Sequence, residues 1–119
     1  MKLTGNLLIG ANEVPASAGT MKALNPSTNQ LIEPDFAFGG VVEVDMAANL
    51  ADEAFDHYSH TSLTERAAFL ERIADNLDAV TLPLAARAAL ETGLPEAQLQ
   101  GEAAKAATQF RQFAEVVRK

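Results

Sequence analysis

The run Ala88-Ala89-Leu90-Glu91-Thr92-Gly93-Leu94-Pro95-Glu96 leaves this chain the fewest ways to fold, because one helical pattern stops and a longer one starts inside it. Gly93 can take the positive φ that closes a helix. Pro95, with its fixed φ and missing N–H, suits the first turn of the next. Two helices therefore meet at a short joint. Beyond it Leu99, Ala103, Ala106, Phe110, Phe113 and Val117 recur at spacings of four, three, four, three and four, which is one apolar stripe on a helix. The rest of the chain is expected to pack against that pair.

Upstream, the pattern predicts three further helices, four in all. The first runs from about Val42 to Tyr58, with Ala47, Leu50, Ala51, Ala54, Phe55 and Tyr58 on one side. The second starts at Ser62-Leu63-Thr64-Glu65, a serine followed three residues later by glutamate as in a capping box, and carries Leu63, Ala67, Leu70, Ile73, Ala74 and Leu77. The third is expected from near Leu82 to Thr92, capped by Thr81 and with Pro83 in its first turn. Gly101, early in the last helix, suggests close backbone packing or a bend.

Residues 1–40 read differently. Leu7-Leu8-Ile9 runs into the turn-prone Gly10-Ala11-Asn12, Val14 resumes a strand, and residues 15–19 form a loop. A second extended piece, Thr20 to Leu24, enters Asn25-Pro26-Ser27-Thr28, where proline presets a bend; the whole predicts a β-hairpin arm and a tight turn. Asn29, which tolerates left-handed φ, completes that turn. Residues 31–40 are expected extended, with Pro34 confining them to an edge and Gly39-Gly40 acting as a hinge into the first helix. No Lys-Ser/Thr pair follows those glycines, so they do not read as a phosphate cradle. The fold class expected is α+β, with residues 1–40 as arm and lead-in and 41–119 as the helical part.

The chemistry offered by the side chains is sparse. The net charge of −7 argues against nucleic acid or an anionic membrane surface as partner. No stretch of eighteen apolar residues and no leader-like start are present. The chain has no cysteine, hence no disulfide, thiolate metal site or thiol nucleophile of its own. His57 and His60 share a helix-like spacing but lack a fixed third ligand, and read as solvated histidines at a helix end. The pairs Asp52/Asp56, Glu71/Asp75 and Asp75/Asp78 read as solvent faces, lacking surroundings that would push their pKa values apart. Glu91 and Glu102 flank the joint and suit a helix-end contact or an ion pair with Arg87 or Lys105. Arg66 and Arg111 suit bonds to carbonyls or carboxylates between helices. Ser17, Ser27, Ser59 and Ser62 have no nucleophile-elbow context.

Three segments carry a resemblance: Glu91-Thr92-Gly93-Leu94-Pro95, Leu99-Gln100-Gly101-Glu102, and Gln109-Phe110-Arg111-Gln112-Phe113-Ala114. With Leu7-Leu8-Ile9-Gly10, Asn25-Pro26-Ser27-Thr28, Ala54-Phe55 and Arg66 in the same order, the chain resembles the amino-terminal region of NAD(P)-dependent aldehyde dehydrogenases, most of all the alpha-ketoglutaric semialdehyde dehydrogenase branch. The resemblance covers nearly the whole chain but only about the first quarter of such an enzyme. It implies a β-hairpin arm and helices belonging to a Rossmann-like NAD(P)-binding domain. The parent enzyme would use NADP or NAD to oxidise an aldehyde to a carboxylate, working as a cytoplasmic homodimer or homotetramer. Its implied chemistry is cysteine attack on the carbonyl, hydride loss to the nicotinamide and hydrolysis of the thioester by a glutamate-activated water. None of those positions matches a residue here, so no catalytic, cofactor-binding or metal residue is expected in this chain, and the chain alone is expected to be inactive. The family's monovalent cation, held by main-chain carbonyls beside the Asn-Pro turn, would implicate Ala23 or Leu24. Asn29-Gln30, Lys105 and Phe110 depart from the branch pattern. The alternative is a non-catalytic helical interaction module.

Overall fold

A computed structural model describes residues 2–119. Four short strands precede three helices: β1 (Leu7–Ile9), β2 (Asn12–Val14), β3 (Thr20–Asn25), β4 (Gln30–Ala37), α1 (Val41–Tyr58), α2 (Leu63–Thr92) and α3 (Glu96–Arg118). The class is α+β, as expected, with two small antiparallel sheets. The chain divides into two units, one comprising 25–28 and 61–119, the other 2–24 and 29–60.

The first unit is a helical hairpin. Serine at the N-cap of α2 accepts the Glu65 N–H (3.1 Å), and the Glu65 carboxylate reaches back to the Ser62 N–H (2.7 Å), the reciprocal box that the sequence announces. The helix then continues through Pro83 to Thr92, so the separate helix expected from Leu82 is part of α2 and the described residues form three helices, not four. Pro83 removes one main-chain hydrogen bond and strains the turn before it, at a cost of about 3 kcal/mol in a helix interior. Ala74 and Ala85, on either side of the proline, are both buried (0% and 2% exposed), and α2 packs along α3. A break at Pro83 would unseat one of them. Thr81, expected as a cap, instead donates its hydroxyl to the Leu77 carbonyl (3.0 Å) within the helix.

Alanine is what brings α2 and α3 together. Ala67, Ala74 and Ala85 on one helix and Ala107 and Ala114 on the other are the buried residues of the pair. Side chains this small let two helices approach closely along a seam. Arg111 reaches Asp75 (2.8 Å) and Asp78 (2.7 Å), and Arg118 reaches Glu71 (2.8 Å), an order that runs antiparallel and sets Ala74 level with Ala114. The larger apolar residues flank this seam. Leu70, Ile73 and Leu77 are half-buried, as are Ala103, Phe110 and Val117, whereas Phe113 is left 63% exposed. An ideal Cβ placed on Gly101 meets nothing within 4 Å, so within this chain that glycine answers to no close approach.

The second unit holds the strands and α1. In the β1–β2 hairpin Leu7 pairs with Val14, Leu8 with Glu13 and Ile9 with Asn12, around Gly10-Ala11. Strands β3 and β4 form the other sheet, tied across by Lys22 to Asp35 (2.8 Å) and Glu33 (3.3 Å), on the two sides of Pro34. Both carboxylates raise the Lys22 pKa, Asp35 more than Glu33. Helix α1 lies against β1, with Leu50 Cδ1 3.1 Å from an ideal Cβ on Gly10. Only Ile9 and Glu43 are buried in this unit, and Val41, Val42, Val44, Phe55 and Tyr58 remain exposed.

Candidate functional site

Two of the sequence motifs meet in space. Helix α2 closes on Gly93, whose φ of +74° lies in the left-handed region and whose N–H donates to the Ala89 carbonyl (2.9 Å). Thr92 donates its hydroxyl to Ala88 O (2.7 Å) and accepts from the Leu94 N–H (3.2 Å). Pro95 is the N-cap of α3 rather than part of its first turn, and its carbonyl accepts from Gln98 (3.1 Å) and Leu99 (3.3 Å). Against this joint sits the Asn-Pro turn. The Asn25 side chain accepts from the Ser27 N–H (2.9 Å), Asn29 takes the left-handed φ of 57° expected of it, and Pro26 Cγ lies 3.4 Å from an ideal Cβ on Gly93. A side chain at position 93 would therefore be strained in φ, with its Cβ in ordinary contact with the turn.

The titratable residues singled out in the sequence mostly serve the helices. Arg87 Nε pairs with Glu91 (2.8 Å), and Glu102 accepts from Gln98 Nε2 (3.2 Å). Arg66 donates to Thr61 Oγ1 (3.1 Å). Asp75 and Asp78, read as a solvent face, are joined through Arg111, whose own pKa they raise further, Asp75 first. His57 stands in the last turn of α1, and His60 Nδ1 lies 2.7 Å from the Asp56 carbonyl, which can only accept, so that nitrogen carries the proton. Among the described residues no group of three or more His, Cys, Asp or Glu is placed to hold a metal ion. Ala23 is half-buried and Leu24 is exposed at the end of β3.

Sequence reasoning passed over Glu43. Among the described residues it is the one buried charged residue, 8% exposed, at the start of α1. Its carboxylate accepts from the Gly40 N–H (2.9 Å), and hydrogen bonds from the Ser17 hydroxyl first, then from main-chain N–H groups at 43 and 40, hold its pKa below the ordinary 4.5. The signal was available, since Gly40-x-x-Glu43 has the same spacing as Ser62-x-x-Glu65. Beside it an open groove of about 310 Å³ is lined by Leu7, Leu8, Ile9, Gly39, Glu43, Val44 and Ala47. A dinucleotide phosphate fits this helix end poorly. The N–H group at Gly40 that could greet it is already engaged by a carboxylate, and like charges would oppose each other.

Residues 14–119 match the aldehyde dehydrogenase family. The chain belongs to that family. It is 49% identical over 99% of its length to alpha-ketoglutaric semialdehyde dehydrogenase 2 of Azospirillum brasilense, and 38% identical over 97% to alpha-ketoglutaric semialdehyde dehydrogenase of Acinetobacter baylyi. Both belong to the branch that the sequence resembles. Among solved structures, that of PnpE in complex with nicotinamide adenine dinucleotide is 29% identical and superposes with a TM-score of 0.87, covering 98% of this chain and 24% of that one. The chain spans less than a quarter of the two curated relatives, 23% and 22% of their lengths. The match carries the dehydrogenase reading and not that of an unrelated helical module. No helix among the described residues is long and apolar enough to cross a membrane.

Proposed function

We propose that this chain is the amino-terminal portion of an NAD(P)-dependent aldehyde dehydrogenase subunit that oxidises alpha-ketoglutaric semialdehyde to the dicarboxylate. The observation that carries the reading is 49% identity across essentially the entire chain to an enzyme of that name. Residues 1–40 would be the arm and 41–119 the helical part of the NAD(P)-binding domain. The rest of the subunit provides the nucleophile, the cofactor site and the assembly surfaces of a cytoplasmic homodimer or homotetramer. This segment contributes architecture: its Asn-Pro turn locks the joint between α2 and α3, and the helices present surfaces to the larger domain. Alone it has no dehydrogenase activity, because the family's thiol nucleophile cannot come from a chain without cysteine.

The test is to purify the natural gene product, measure its intact mass and assay it with alpha-ketoglutaric semialdehyde and either NAD+ or NADP+. Reduction of the nicotinamide by a protein several times heavier than 12.6 kDa is expected, with none from the 119-residue chain. A natural product of 12.6 kDa, or a larger one inactive with every aldehyde offered, would overturn the reading.

A further inference from the structure

Residues 15–19 lie beside the start of α1 with little apolar surface to hold them. Pro15-Ala16-Ser17-Ala18-Gly19 has no side chain larger than proline, and all five residues are exposed. The main-chain bonds that seat this strap are few: the Ser17 and Ala18 N–H groups donate to the Phe38 carbonyl (3.4 and 3.3 Å), and Phe38 N–H donates to the Gly19 carbonyl (2.9 Å). Glu43 supplies the remaining attachment. Its carboxylate accepts from the Ser17 hydroxyl and from Gly40 N–H (2.9 Å). An ideal Cβ on Gly40 would sit 3.5 Å from both Glu43 Oε2 and Ser17 Oγ, so strap, hinge and helix meet at one point. We infer that Ser17 and Glu43 form a charge-gated clasp, closed while Glu43 is ionised and Ser17 is neutral, and opened by a negative charge at position 17. The inference goes beyond the reading above and rests on this chain's own contacts.

The surroundings of Glu43 make its charge decisive. Among the described residues no lysine, arginine or histidine pairs with it. Strand β1, the strap and residues 36–40 carry no titratable side chain, and Glu13 of β2 accepts from Thr4 instead. On α1 itself Asp45 is exposed, and the next titratable residue, Asp52, stands more than two turns on. A buried carboxylate without a cation is stable only where donors satisfy it. Here the Ser17 hydroxyl comes first, then the main-chain N–H groups at 43 and 40, and together they hold the pKa below the ordinary 4.5. A negative charge at position 17 would remove the first of these donors and face Glu43 where water screens little. The strap, without an apolar anchor, is the part that gives way.

The test follows amide exchange over residues 37–40 in the natural gene product, as protection relative to the intrinsic rate. Ser17→Asp should lower that protection about tenfold at neutral pH, whereas Ser17→Asn, similar in size and uncharged, should keep it near the parent value. Adding Glu43→Gln to Ser17→Asp should restore most of the loss, because the amide offers a donor where the carboxylate repels. Protection along 63–92 should stay constant throughout. Equal losses in the Asp and Asn variants, no loss in Ser17→Asp, or no recovery in the double variant would each overturn the inference. Ser17→Ala gives a separate readout if Ser17→Asp does not accumulate. Without the hydroxyl, the pH midpoint at which Gly40 loses protection should move up toward 4.5, and an unchanged midpoint would show that Ser17 does not clasp Glu43.

Discussion

The helical hairpin and the strand-and-α1 unit differ in where each finds its partner. Helices α2 and α3 bury five alanines between them and cross-link through Arg111 and Arg118 to three carboxylates. Helix α1 buries only Glu43, and its valines and Phe55 face outward. One unit has a buried seam of its own, although Phe69, Leu82, Phe113 and Val116 stay exposed beside it. The other carries the apolar side chains of a packed layer without the layer. Hydrophobic side chains that remain exposed over a whole helix cost solubility and stability unless something covers them. The difference therefore matches a family in which this segment is under a quarter of the subunit.

The strongest way to break this comparison is to spoil the seam. Ala107→Leu puts a branched side chain where 0% of the alanine is exposed, and overpacking of that kind costs about 1–3 kcal/mol or more. A thermal melt of the chain should show the loss, and an unchanged melt would mean that the alanines do not hold the hairpin. Next is the joint. Gly93→Ala forces a left-handed φ on a residue with a Cβ and should cost about 1–2 kcal/mol by urea denaturation. Stability equal to the parent chain would show that the joint can rearrange.

Smaller effects sharpen the contrast. Arg111→Ala removes exposed pairs to Asp75 and Asp78 and should lower stability only slightly, an effect that shrinks as salt is raised. A loss independent of ionic strength would point to packing by the arginine stem instead. The smallest effect belongs to Glu43. Its pKa is depressed in the folded state, so its contribution is present above the ordinary value of 4.5 and disappears as pH falls through the lower folded value. Hydrogen-exchange protection at the start of α1, taken relative to the intrinsic rate at each pH, should fall on acidification through that window, and in Glu43→Gln that fall should be largely absent. An identical pH response in the variant would assign it to other carboxylates.

Much of this was legible from local chemistry. Ser62 and Glu65, the positive φ of Gly93, the left-handed Asn29 and the arginine between α2 and α3 all follow from what those side chains can do within a few residues. What the sequence hid was decided at a distance. Pro83 reads as a helix start, whereas α2 runs unbroken through it with Ala74 and Ala85 buried on its two sides. The α3 stripe is legible, but not that α2 would choose the alanines beside it, because the period of a pattern does not say which shoulder meets which neighbour. The candidate site was legible as motifs and not as a place. Nothing in Asn25-Pro26-Ser27 or in Gly93 alone announces that they touch.

Amide hydrogen exchange, read segment by segment in the 119-residue chain and in the full-length subunit, tests the central claim most directly. The account predicts that 63–92 and 96–118 are protected in both proteins, and that 41–58 exchanges quickly in the chain alone and becomes protected only in the complete subunit. Equal and strong protection of 41–58 in the isolated chain would contradict it, since α1 would then need no partner beyond these residues.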